Sequence, residues 1–123
     1  MTTSGNFAGL LGHWLNTNRD NPTIAECTVG QAEDGITVHV IGAGDKKPWP
    51  TVRATVLANL EEEAGQRTVA LMAVFDLDDM LAETYMRVNK GVFVIVVYAT
   101  FKDGSGRSNH LYREFFYRSE QAA

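Results

Sequence analysis

Leu81-Ala82-Glu83-Thr84-Tyr85-Met86-Arg87-Val88, then Asn89-Lys90-Gly91, then Val92-Phe93-Val94-Ile95-Val96-Val97-Tyr98-Ala99-Thr100-Phe101 reads as a strand, a turn and a second strand. β-Branched and aromatic side chains fill both runs, and Asn-Lys-Gly supplies the residues that tolerate a tight reversal. The same unit repeats outward in both directions. The other runs are Leu10 to Asn18, Thr23 to Gln31, Ile36 to Gly42, Thr51 to Ala58, Thr68 to Asp76 and Ser108 to Arg118, which makes eight in all. Arg19-Asp20-Asn21-Pro22, Glu33-Asp34-Gly35 and Asp103-Gly104-Ser105-Gly106 separate some of them as hairpin turns. Longer breaks span Ala43 to Pro50, with Pro48-Trp49-Pro50, and Asn59 to Arg67, where Glu61-Glu62-Glu63 reads as a solvated loop or helical turn. No helical stripe of three turns interrupts the series. Eight strands joined mainly by short turns predict sequential antiparallel pairing. Closing such a meander removes its exposed edges, so the expected fold is all-β, an eight-stranded antiparallel up-and-down β-barrel.

Composition sets limits on function. With 123 residues, 45% of them hydrophobic, the chain fits one domain, residues 1–123, with a core of ordinary size. A net charge of -4 argues against nucleic acid, whose phosphates call for clustered Lys and Arg. Val92 to Ala99, the longest apolar run, is far short of the roughly 20 residues of a membrane helix, so no membrane partner is expected. One cysteine, Cys27, forms no internal disulfide, and with His13, His39 and His110 it makes no zinc spacing. Met1 to Asn6 lacks the basic and apolar regions of a secretory signal, which leads to the expectation of a cytoplasmic, reduced protein.

Known cofactor motifs are absent too. Asp103-Gly104-Ser105-Gly106-Arg107 has no Lys-Ser or Lys-Thr pair to make a phosphate loop, and Ile41-Gly42-Ala43-Gly44 opens no helix for a dinucleotide. Asp76, Asp78 and Asp79 lack the twelve-residue calcium loop and read as a polar turn. No metal and no cofactor is therefore assigned.

Gly12-His13-Trp14, at the head of the first run, resembles the Gly-x-Trp start of the first strand in the lipocalin and avidin (calycin) superfamily. That resemblance implies a lipocalin-like barrel whose tryptophan closes one end, with an arginine of the last strand packed across it; Arg113 and Arg118 are the candidates. Planar guanidinium stacks well on an aromatic face. Asn16-Thr17-Asn18 followed by Asn21-Pro22-Thr23, and Phe101 to Ser108 followed by Arg113-Glu114-Phe115-Phe116, are similar to a group of small bacterial lipocalin-like proteins. The similarity implies a fold rather than a substrate. Avidins use several cavity tryptophans, whereas this chain has only Trp14 and Trp49, which argues against biotin. With Ser119 to Ala123 after the last run, the helix that follows the last strand in secreted lipocalins is not expected here.

Alternation along each strand nominates the inner face. Gly12, Trp14 and Asn16 share a face, as do Ala25, Cys27 and Val29, and as do Ile36, Val38 and Val40 opposite Thr37 and His39. In the sixth run either Ala82, Thr84 and Met86 face inward and leave Glu83, Tyr85 and Arg87 exposed, or the reverse holds and those three line the cavity. Val92, Val94, Val96, Tyr98 and Thr100 share a face, and so do His110, Tyr112, Glu114 and Phe116. Because the seventh run is apolar on both faces, its outer face needs cover, and a homodimer through that strand is the expected partner.

Two functions are in view. One is the binding of a small hydrophobic ligand in the barrel, with Trp14, Asn16, Tyr98, Tyr112 and Glu114 as contacts and Trp49 as a lid. The alternative is a cofactor-independent cyclase or isomerase of a small-molecule (secondary metabolite) pathway. It would hold a flexible substrate in a reactive shape, with Glu83, Tyr85 and His39 for proton transfer or carbonyl polarisation.

Overall fold

A computed structural model describes residues 9–18, 20, 23–43, 47–58, 69–102, 104 and 109–119, with the side chains of Ala58 and Val69 excepted. Eight strands follow one another: β1 (Gly12–Asn16), β2 (Ile24–Ala32), β3 (Gly35–Gly42), β4 (Val52–Ala58), β5 (Val69–Asp76), β6 (Met80–Asn89), β7 (Val92–Phe101) and β8 (His110–Arg118). Every neighbour is antiparallel, and β8 pairs back onto β1 to close a barrel. Each apolar run has become a strand. The expected Glu61-Glu62-Glu63 segment, and most of the turns around Asn21-Pro22 and Asp103 to Gly106, lie outside the described residues. No helix among the described residues is long and apolar enough to cross a membrane.

Turn chemistry acts where it was read. Lys90 (φ 54) and Gly91 (φ 83) both take positive φ in the two-residue turn between Asn89 and Val92, whose backbones pair. Two positive φ values match the twist of the flanking strands, and glycine makes the second at little steric penalty.

The interior is a continuous apolar core. Trp14, Cys27, Val29, Val38, Val40, Leu71, Phe75, Met86, Phe93, Ile95, Val97 and Phe116 are all at most 2% exposed. β6 settles its two alternatives: Ala82, Thr84 and Met86 are buried, and Thr84 Oγ1 donates to the Ala73 carbonyl at 2.8 Å, which satisfies its hydroxyl inside the barrel. β2 departs from simple alternation. A register shift between Ile24 and Glu26 turns Ile24 inward, completely buried, while Ala25 remains only half-buried. A bulge of this kind inserts one residue and changes the parity on one side of it.

One end of the barrel is sealed. Trp14 stacks on Phe93 with centroids 4.8 Å apart and planes 13° apart, and Phe93 meets Phe116 edge-on at 6.0 Å. Arg118 lies with its guanidinium 4.3 Å from the Trp14 ring centre and donates to the carbonyls of Leu11 and Gly9. Trp14 Nε1 donates to the Leu10 carbonyl at 3.0 Å, which ties the turn before β1 into the same plug. Arg118, not Arg113, is thus the arginine across the tryptophan. Gly12 is required beside it, because its φ is +133° and a Cβ there would collide with Arg118 Nη1.

Candidate functional site

Up-and-down topology gathers alternate connections at one end. The C-terminal ends of β1, β3, β5 and β7 all lie opposite the Trp14 plug. There the structure opens into a cavity of ≈ 540 Å³ lined by Thr23, Gly42, Ala43, Lys47, Pro48, Trp49, Pro50, Asp76, Leu77, Asp78, Asp79 and Met80.

Trp49 is the centre of this mouth. Its backbone N–H donates to the Val40 carbonyl at 2.9 Å, and Pro48 bridges to Ile41, so the Pro48-Trp49-Pro50 segment is tied to β3 rather than hanging free. Gly42 makes room for it, since a Cβ at Gly42 would sit 3.0 Å from Trp49 Nε1. The indole meets Phe75 edge-on, with centroids 5.2 Å apart and planes at 64°. Trp49 therefore covers the upper end of the core and presents the rest of its surface to the cavity.

The remaining wall is polar. Leu77 N–H donates to the Met80 carbonyl at 2.8 Å and shapes the β5–β6 connection, which places Asp78 and Asp79 on the rim. Lys102 Nζ pairs with Asp76, and the Lys102 N–H donates to the Asp79 carbonyl at 2.9 Å. Lys47 supplies the cation of the lining.

A second polar cluster adjoins the mouth at Thr23. Glu114 Oε2 accepts from the Thr23 N–H at 2.9 Å, and Oε1 accepts from the Ile24 N–H at 3.1 Å and from Asn16 Nδ2 at 3.0 Å. Asn16 Nδ2 also donates to the Ile24 carbonyl at 2.8 Å. Burial raises the Tyr112 hydroxyl above its ordinary pKa of 10.0, against an opposing hydrogen bond with Thr23, and the Glu114 charge adds to the rise. Glu114 and Asn16 are occupied in fastening β8 to the start of β2. Tyr112 packs half-buried against the core.

The site residues nominated from the sequence thus divide. Trp49 lines the mouth; Asn16, Tyr112 and Glu114 lie on the inner face next to it, joined to it through Thr23. Trp14 is on the inner face as well, but it is locked into the opposite, sealed end and is not among the residues that line the cavity. Glu83, Tyr85 and Tyr98 face outward, since each pairs within a row whose inward neighbours are Ala82, Thr84, Val97 and Ala99. Their cavity-lining placement is corrected by that register. His39 also faces outward, and its Nδ1 lies 2.9 Å from Thr51 Oγ1. Cys27 is buried, and desolvation lifts its thiol to about 12, so it stays protonated and inert as a nucleophile at neutral pH.

Lys47, Leu77 and Met80 were not singled out from the sequence, and Asp76, Asp78 and Asp79 were read only as a polar turn. Topology held the missing signal: in an eight-stranded meander, the connections after odd-numbered strands share an end, and their residues form its rim. Taken together, the fold and site define a closed antiparallel barrel with a plugged floor and an aromatic, partly charged mouth. In comparison with known proteins, the chain matches no protein-family model, no curated protein and no solved structure.

Proposed function

We propose that this is a lipocalin-like binding barrel that takes a small, largely apolar molecule at its mouth, against Trp49. The ≈ 540 Å³ cavity carries the reading, because it lies within the roughly 300–1,000 Å³ range of small-molecule sites and pairs an aromatic wall with a few polar groups. Phe75 and the filled core below Trp49 stop the ligand at the mouth, so it rests on the core rather than threading the barrel. Leu77 and Met80 extend the apolar wall, and Lys47, Asp78 and Asp79 orient whatever polar end the ligand has. Glu83, Tyr85 and His39, the groups on which a cyclase or isomerase reading calls, face away from this cavity, and binding is the function the geometry supports best.

A titration with an apolar naphthalene-sulfonate fluorophore tests this. Saturable one-to-one binding is expected, weakened about tenfold or more by Trp49→Ala, since loss of an aromatic anchor at the centre of a site removes about 1.4 kcal/mol or more. Tyr98→Ser, on the outer wall, is expected to leave it unchanged. Binding that survives Trp49→Ala and disappears with Tyr98→Ser would place the ligand on the outside of the barrel and overturn the proposal; circular dichroism checks that both variants are folded.

A further inference from the structure

The outer wall of β5–β8 has the opposite character to that of an ordinary surface sheet. Of the nine exposed large hydrophobic residues among those described, seven lie here: Val74, Tyr85, Val92, Tyr98, Leu111, Phe115 and Tyr117, each 39–71% exposed. Val94 and Val96 continue the stripe along β7 between them. At about 150–250 Å² per aromatic side chain, these exposures leave on the order of 500 Å² of apolar surface in one patch. That is the upper end for a monomer and much of the roughly 800 Å² per partner of a standard interface.

We propose that this face is the interface of a homodimer, built on a two-fold axis running along β7. Its charges specify the second copy. Strand register puts Tyr85, Val96 and Arg113 in one row across β6, β7 and β8, and Glu83, Tyr98 and Leu111 in the next. Glu83 and Arg113 make no ion pair among the described residues. A two-fold along β7 lays β6 of each copy over β8 of the other at equal height. Arg113 then meets the ring of the partner's Tyr85 and lies one row, about 7 Å of strand, from the partner's Glu83, within reach of its long side chain. Arg87 correspondingly meets the ring of the partner's Phe115, since Arg87, Val94 and Phe115 form the following row. Each contact occurs twice, as a self-complementary interface demands. A two-fold across the strands would instead set Arg113 on Arg113. The valines of β7 form the dry centre, and a shallow depression of ≈ 570 Å³ lined by Val96, Leu111, Tyr112, Arg113 and Phe115 gives the partner's side chains a place to enter.

Sedimentation velocity on the full chain tests the assignment. The wild type is expected to be a dimer at roughly 100 µM, and Val96→Asp a folded monomer there, because an unpaired carboxylate at the dry centre is strongly disfavoured. Glu83→Arg and Arg113→Glu, singly, are each expected to weaken the dimer about tenfold or more by opposing like charges, and the double reversal to restore it. A wild-type monomer, which would leave the face to a different protein, overturns the proposal. So does a dimer indifferent to Val96→Asp, or a double reversal no tighter than the single ones.

Discussion

Arg118 secures the floor of the barrel through the Trp14 ring and through two backbone carbonyls, Leu11 and Gly9. Replacing it with alanine is expected to lower unfolding stability by about 1–2 kcal/mol, the sum of a cation–π contact and partly solvated charged hydrogen bonds. Lysine should recover less than half of that, since a point charge neither stacks flat nor bridges two carbonyls. Gly12→Ala is expected to lose about 2 kcal/mol or more, because it combines a disfavoured φ with a collision against the guanidinium. Urea unfolding of the three variants gives the ranking. Gly12-His13-Trp14 marked this plug in the sequence, yet the choice between Arg113 and Arg118 waited on strand parity. Completely buried Phe116 puts even-numbered positions of β8 inside, which carries Arg118 to the floor and Arg113 to the outer wall.

At the scale of the element, β1, β2 and β8 are joined by little backbone pairing at the mouth, and Glu114 compensates. Glu114→Ala is expected to cost about 2 kcal/mol by leaving the N–H groups of Thr23 and Ile24 without their acceptor. Hydrogen exchange should locate the damage: the Thr23 and Ile24 amides lose protection while those of Val38 and Val40 in the neighbouring strand keep theirs. Alternation made most of the inner face legible. Ile36, Val38 and Val40 point inward as their spacing required, and so does Cys27. Ala25 was misplaced because a bulge leaves no composition signal; it exists only in the pairing of β2 with β3. β6 could be read both ways because each of its faces mixes apolar with polar groups, and only the hydrogen bond that satisfies Thr84 made burial of its face tolerable.

For the molecule as a whole, buried Cys27 and half-buried Tyr112 act against stability at alkaline pH. Burial holds the protons of Cys27 and Tyr112 above their ordinary values of 9.0 and 10.0, so the unfolded chain ionises first as pH rises. The stability held by the Cys27 proton is therefore complete below pH 9 and is expected to be lost between pH 9 and about 12, by up to about 1.4 kcal/mol per pH unit. Denaturation midpoints of the wild type and Cys27→Ala across that range check the sign, since the alanine variant lacks that slope. The barrel itself was legible from eight runs and their turns. Its mouth was less so, because Lys47, Trp49 and Asp79 come from segments that are distant in sequence and meet only once the sheet has curled shut. Closure has one more consequence. Since β8 pairs back onto β1, each of the eight strands has two hydrogen-bonded partners, and chain order shows only in which neighbours are also joined by a connection.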